Sequence, residues 1–252
     1  MSAAALHISN LRFEHAPAPG EDPARAFSLR VDHLTLAPGE QLLLSAPSGT
    51  GKSTLLALIA GLLDPADGAV EVAGQRVHAL RGAARDRFRG RHVGLVFQTL
   101  QLLEGFAADE NVMAAMLMAS LPSDRAKARA LLDRLGMSKH ASLVENLSVG
   151  QRQRVAVARA VACSPTLVLA DEPTASLDPA NARDAVALLQ SACREGNAAL
   201  LCVSHDETLA GAFPRRVTLD ELALPAQALA QSVAQSFAQS PALARANPGA
   251  RA

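Results

Sequence analysis

The sequence predicts an α/β fold built on a mainly parallel sheet, and three observations carry that expectation. Short apolar stretches of strand length occur at Gln41–Ser45, 166–170 and 198–203. The last two are near-continuous apolar runs, the pattern of a strand buried on both faces of a parallel sheet. These stretches alternate with longer helical ones at 52–63, 150–163 and Pro179–Glu195, as parallel sheets with crossover helices require. In addition, the strand Gln41–Ser45 passes through a Gly-containing loop straight into a helix.

The other elements follow in order. Residues 6–13 and Phe27–Leu36 are expected as two strands, joined by a Pro/Gly-rich stretch at 15–23, and they begin an antiparallel N-terminal β subdomain. Leu29, Val31, Leu34 and Leu36 give the second strand its partial alternation. Pro38-Gly39 signals a turn before Gln41–Ser45, and Asp64-Pro65 with Asp67-Gly68 closes the unit after the helix at 52–63. A strand at 69–73 and another at 93–97 come next. From about 109 to 135 the pattern is helical without a strand signal, punctuated by Pro122 and by Ser123, the expected N-cap of a helix running to Leu135. This region belongs to an inserted helical subdomain at about 99–160 within a domain spanning 1–224. Residues 225–252, rich in Ala, Gln and Ser, are expected to form a partly disordered tail.

Composition narrows the function. The chain of 252 residues is 49% hydrophobic, enough for a substantial core, and its formal net charge of +0 offers no electrostatic reason to bind nucleic acid. The arginines between Arg81 and Arg91 lack interleaved aromatics, so a solvated helical face is expected there and no nucleic-acid partner. No apolar run approaches the ~20 residues that span a bilayer, and Met1 to Asn10 has no signal-peptide pattern. Any membrane role is therefore expected to run through a partner. Cys163, Cys193 and Cys202 have no metal-ligand spacing and read as small buried residues in a reducing compartment. His7, His15, His33, His78, His92 and His140 show no metal pairing. Val112, Met113, Met116, Leu117 and Met118 read as helical core, with a partner-facing groove as the alternative.

The strongest local motif is Ser45-Ala46-Pro47-Ser48-Gly49-Thr50-Gly51-Lys52-Ser53-Thr54, set between strand and helix. That context identifies a phosphate-binding loop. Gly49 and Gly51 let the backbone turn so that successive N–H groups, from Ser48 through Thr54, point inward at phosphate oxygens, and the helix adds its positive end. Lys52 is expected at the β- and γ-phosphates of ATP, Ser53 at Mg²⁺, and Thr54 at a further phosphate oxygen. Ala46 replaces the first glycine of the usual pattern and requires a negative φ there. The run 166–170 ends in Asp171-Glu172-Pro173, placing two acids at the carboxyl edge of the sheet, where ligands bind in open α/β folds. Asp171 is expected to hold Mg²⁺ through its water shell, and Glu172 to polarise the attacking water.

A third stretch, Leu147-Ser148-Val149-Gly150-Gln151 followed by Arg152 to Ala160, is similar to the signature of the ABC ATPase superfamily, with Val149 in place of a glycine. The resemblance covers roughly residues 5–220. It implies a P-loop NTPase core, an antiparallel N-terminal β subdomain and an inserted α-helical signature subdomain. It further implies that Ser148, Gly150 and Gln151 reach the γ-phosphate of ATP held by the other protomer of a homodimer. By the same resemblance Gln98 senses Mg²⁺ and the attacking water and couples to a membrane subunit. Asp178, in Ser176-Leu177-Asp178, lies at the dimer interface; His205 contacts the γ-phosphate; and Phe13 stacks on adenine. The stretch from Phe97 to Val112 looks like the lipoprotein-releasing, macrolide-efflux and division-associated branch. The resemblance thus implies an ATP-hydrolysing subunit, peripheral on the inner, cytoplasmic face of the bacterial cell membrane. It would drive an integral membrane permease or mechanotransmission subunit; the alternative is a regulatory ATPase that activates an envelope or division process without transport.

Overall fold

The computed structural model describes residues 3–15, 27–47, 49–175 and 177–223. Most of the 15–23 connection, Ser48, Ser176 and the expected tail at 225–252 lie outside the described residues.

The chain begins with β1 (Leu6–His15) and β2 (Phe27–Leu36), then β3 (Gln41–Ser45), α1 (Lys52–Ile59), β4 (Asp67–Val72) and the two-residue β5 (Gln75–Arg76). Next come α2 (Gly82–His92), β6 (Val93–Val96), α3 (Ala108–Met118), α4 (Arg125–Arg134) and α5 (Val149–Val161). The chain continues through β7 (Leu167–Asp171), α6 (Pro179–Glu195), β8 (Ala199–Ser204), β9 (Arg215–Thr218) and α7 (Leu219–Leu222). Two sheets result. β2-β1-β4-β5 is antiparallel, with Leu6 opposite Leu36 and a register shift in the β1–β4 pairing between Ser9 and Arg12. β6-β7-β8-β3-β9 is parallel throughout.

The near-continuous apolar runs acquire a physical reason here. Leu42 and Leu44 on β3, Leu167 and Leu169 on β7, and Leu201 and Val203 on β8 face one core, shared with α1 and the antiparallel sheet. Leu43, Val168, Ala170, Leu200 and Cys202 alternate onto the other face, where α5 and α6 pack on the sheet and α3 and α4 extend the same core. Each fully buried leucine contributes about 1.5–3 kcal/mol relative to exposure, so both faces hold the sheet in register.

Several boundaries differ from those expected. α1 stops at Ile59 because Gly61 turns left-handed at φ 68°. The N–H groups of Gly61 and Leu62 then close back on the carbonyls of Leu58 and Ala57. The cap of α4 is Asp124, not Ser123: the Asp124 carboxylate accepts the Lys127 N–H at 2.9 Å, and a carboxylate satisfies that orphan donor as well as a hydroxyl does. In α3, Val112 and Met116 are buried, but Leu117 and Met118 are 70% and 73% exposed and are not core. β9 was not expected; it pairs along β3 as an edge strand whose sequence, Arg-Arg-Val-Thr, buries only Val217. The three cysteines are free thiols, two buried and Cys163 partly so. α2 carries its arginines on a helix with no buried residue. Among the described residues no helix is long and apolar enough to cross a membrane.

Candidate active site

Three chain segments leave the same edge of the parallel sheet. β8 lies between β3 and β7, with Ser45 opposite Ser204 and Asp171 opposite Val203. Because the strands are parallel, the loop after β3, the acids ending β7 and the turn after β8 emerge side by side.

The loop after β3 turns through Gly49 at φ 81° and Gly51 at φ 98°, a backbone that L side chains rarely adopt. Gly51 is also pressed by an aromatic ring: a Cβ there would stand 2.3 Å from Cζ of Phe27. Gly51 caps α1 without a side-chain hydrogen bond, so the first N–H groups of the helix are left for an anion. Ala46 is not among the described residues with positive φ, as its methyl group requires, and its carbonyl accepts the Lys52 ammonium at 2.7 Å. The Pro47 carbonyl accepts Lys52 at 3.2 Å and the Thr50 hydroxyl at 2.8 Å.

Glu172 is the centre of the polar network. Its backbone is left-handed at φ 45°, and its N–H donates to the Val203 carbonyl at 2.9 Å, which ties it to β8. The residue is 7% exposed. Lys52 Nζ lies 3.0 Å from Oε1 and the His205 ring Nδ1 lies 2.7 Å from the same oxygen. The His205 N–H donates to Oε1 at 3.1 Å, and Ser204 Oγ donates to Oε2 at 2.9 Å. Burial pushes the Glu172 carboxyl up, but hydrogen bonds from His205, Lys52 and Ser204 outweigh it and hold the group below the ordinary carboxylate value. A charged, oriented carboxylate is the result.

Asp171, at the end of β7, has a buried Oδ1 without a hydrogen-bond partner. An orphaned carboxylate oxygen fits a site for a hard cation, which binds oxygen ligands and keeps several waters. Ser53 and Gln98 line the same cavity of about 430 Å³ and supply neutral oxygens for that donor set.

That cavity brings together most of the residues expected from sequence: Gly49, Gly51, Lys52, Ser53, Thr54, Gln98, Asp171, Glu172 and His205. It does not include Phe13, which pairs opposite Leu29 and packs on the first core. The aromatic at the phosphate loop is Phe27, at the start of β2. Ser148, Gly150 and Gln151 stand apart at the start of α5, where Ser148 and Gln151 form a reciprocal capping box. Val149 occupies the first turn of α5 and is 44% exposed; with no positive φ there, a β-branched residue is tolerated. Asp178 accepts the Asn181 N–H at the start of α6. Ser48 lies outside the described residues.

Three residues were not singled out in the sequence. Phe27 and Ser204 touch the site directly, and the only signal for Ser204 is a hydroxyl closing an apolar strand. Arg159, on α5, donates from its guanidinium to the carbonyls of Leu100, at 2.6 Å, and Gln101. Those residues follow Gln98 in a left-handed backbone at φ 60° and 44°, which the partly buried guanidinium ties to α5.

Residues 29–175 match the family described as ABC transporter. A lipoprotein-releasing system ATP-binding protein LolD from Maricaulis maris is 41% identical over 222 residues, covering 86% of this chain and 95% of that protein. Its namesake LolD 1 from Rhodopseudomonas palustris is 45% identical over 182 residues, covering 70% and 80%. Among solved structures, the dimeric post-hydrolysis state of the ATP-binding cassette MJ0796 bound to ADP and Pi superimposes with a TM-score of 0.71 at 27% identity. It covers 84% of this chain and 93% of that one.

Proposed function

The chain belongs to the ABC transporter family as an ATP-binding and ATP-hydrolysing cassette, and from that premise we propose that two copies close around two ATP molecules to drive a separate integral membrane subunit. The N–H groups of the loop from Ser48 to Thr54, with Lys52, hold the β- and γ-phosphates. Ser53, Gln98 and, through water, Asp171 would hold Mg²⁺, which would supply charge neutralisation at the phosphates. Water attacks the γ-phosphorus, its proton passes to Glu172, and the bridging P–O bond breaks with its electron pair going to ADP. His205 turns to the γ-phosphate. Ser148, Gly150 and Gln151 of each protomer complete the site of the other, and Asp178 lies at the interface between them.

The observation that supports this most is the junction of Lys52, Glu172 and His205 within hydrogen-bonding distance at the ends of three adjacent strands. The relatives' names favour the lipoprotein-releasing branch, with lipoproteins as cargo and the cassette on the inner face of the bacterial cell membrane. The test is to tag the full chain carrying Glu172→Gln and capture it from solubilised membranes with and without ATP-Mg²⁺. Capture of an integral membrane protein with a large extracytoplasmic domain, strengthened by ATP, is the expected result. A compact multi-span permease would reassign the branch, and capture of no membrane protein in either condition would overturn the transport role.

A further inference from the structure

We infer that Ser204 is a positioning residue for Glu172: its hydroxyl anchors one carboxylate oxygen, Oε2, so that the other, Oε1, faces the reacting water. The inference rests on the role proposed for Glu172. Ser204 closes β8 and is 1% exposed. Its Oγ accepts the Asp206 N–H at 3.1 Å and donates to Glu172 Oε2 at 2.9 Å. A hydroxyl carries a single proton. With Asp206 occupying an acceptor site, that proton is committed to the carboxylate.

The two carboxylate oxygens keep different company. Oε1 meets Lys52 Nζ at 3.0 Å and the His205 ring at 2.7 Å, Oε2 meets Ser204 at 2.9 Å, and the His205 N–H is shared between them at 3.1 Å from Oε1 and 3.3 Å from Oε2. Lys52 and the His205 ring are the groups assigned to phosphate. Lys52 carries its charge on a flexible four-carbon stem beside the phosphate loop, and the His205 side chain is 55% exposed and has room to turn. Ser204 has one side-chain torsion and sits in a paired strand, so it stays. When the ammonium and imidazole engage the phosphates, Oε1 loses both side-chain partners and keeps only its share of the His205 N–H, whereas Oε2 keeps the Ser204 hydroxyl. The water proton then passes to Oε1 as the water oxygen bonds to the γ-phosphorus and the ADP oxygen leaves with its electron pair. A carboxylate held at one oxygen keeps its reacting oxygen within the small positional tolerance that proton transfer demands.

The competing account is that Ser204 only closes the turn carrying His205, through the Asp206 N–H. Loss of that turn would displace a phosphate contact and weaken ATP binding, whereas loss of the anchor slows the chemical step. Steady-state MgATP hydrolysis by the full chain separates the two, using Ser204→Ala and the near-isosteric pair Ser204→Thr and Ser204→Val. The expected result is a kcat lower by about tenfold or more in the Ala and Val variants, KM within about twofold, and recovery of most of the rate in Thr. The Thr and Val pair keeps the test informative if the Ala variant fails to fold, because only the hydroxyl differs. A wild-type kcat in Ala and Val, a raised KM at unchanged kcat, or equal losses in Thr and Val would each overturn the inference. Glu172→Gln in the same assay distinguishes the failures. Wild-type turnover in that variant would remove the role proposed for Glu172 itself, whereas an inactive Glu172→Gln beside fully active Ser204→Ala and Ser204→Val would remove Ser204 alone.

Discussion

Lys52 and Glu172 stand 3.0 Å apart although they follow strands that do not pair with each other; β8 runs between those strands and supplies Ser204 and His205 to the same carboxylate. The site is therefore a property of strand order. Any change that shifts the register of β8 against β3 or β7 separates the cation from the base.

Replacing Lys52 by Ala removes the cation that pairs with Glu172 and that we place at the phosphates. Isothermal titration is expected to show ATP affinity reduced by about tenfold or more, and hydrolysis to fall by roughly 100-fold or more. Unchanged ATP affinity would contradict the placement of Lys52 at the phosphates.

The capping box on α5 predicts a measurable stability term. Ser148→Ala leaves the Gln151 N–H without its side-chain acceptor and is expected to cost about 0.5–2 kcal/mol in urea unfolding. Val149→Gly, at an exposed first-turn position, is expected to cost less than about 1 kcal/mol. A larger loss for Val149→Gly than for Ser148→Ala would contradict the assigned cap.

Arg159→Met removes the donors that hold Leu100 and Gln101 in their left-handed backbone. The partly buried Leu100 carbonyl is left short of a partner while the exposed Gln101 carbonyl turns to water, so destabilisation of about 1 kcal/mol is expected. Because Gln98 adjoins this segment, kcat is expected to fall as well. A kcat equal to wild type in the folded variant would show that Gln98 is positioned without Arg159.

Thiol chemistry tests the core. Burial pushes the Cys193 thiol up to about 12, and the wholly buried Cys202 is pushed further in the same direction. Cys163 is raised less and is only partly buried. A neutral-pH alkylating reagent is therefore expected to label Cys163 first, with Cys193 and Cys202 reacting only on unfolding. Rapid labelling of all three in the native protein would contradict the packing of the second core.

Much of this was legible in the residues, for physical reasons. The phosphate loop and the Asp171-Glu172 pair are local patterns whose chemistry demands their spacing. The buried strands announce themselves because both faces are covered. The features that were missed depend on partners distant in sequence. Arg215 to Thr218 does not look like a strand because an edge strand needs only Val217 to be buried. Phe27 reaches Gly51 through the pairing of β1 and β2, which nothing in either segment specifies alone. Ser204 gains its role only because Glu172 arrives from the neighbouring strand. Leu117 and Met118 are apolar, but at about 100° per residue they lie off the face that buries Val112, Met116 and Ala119, so they point outward; the apolar run hid that helical period.

The most direct test of the central claim, that Glu172 takes the proton from the attacking water at this site, is single-turnover hydrolysis of γ-labelled ATP by the wild-type chain and by Glu172→Gln at saturating Mg²⁺. The amide keeps the shape and loses the base. Retained ATP binding with a hydrolysis rate reduced by about 100-fold or more is predicted. Hydrolysis by Glu172→Gln at the wild-type rate would contradict the account and place the chemistry elsewhere.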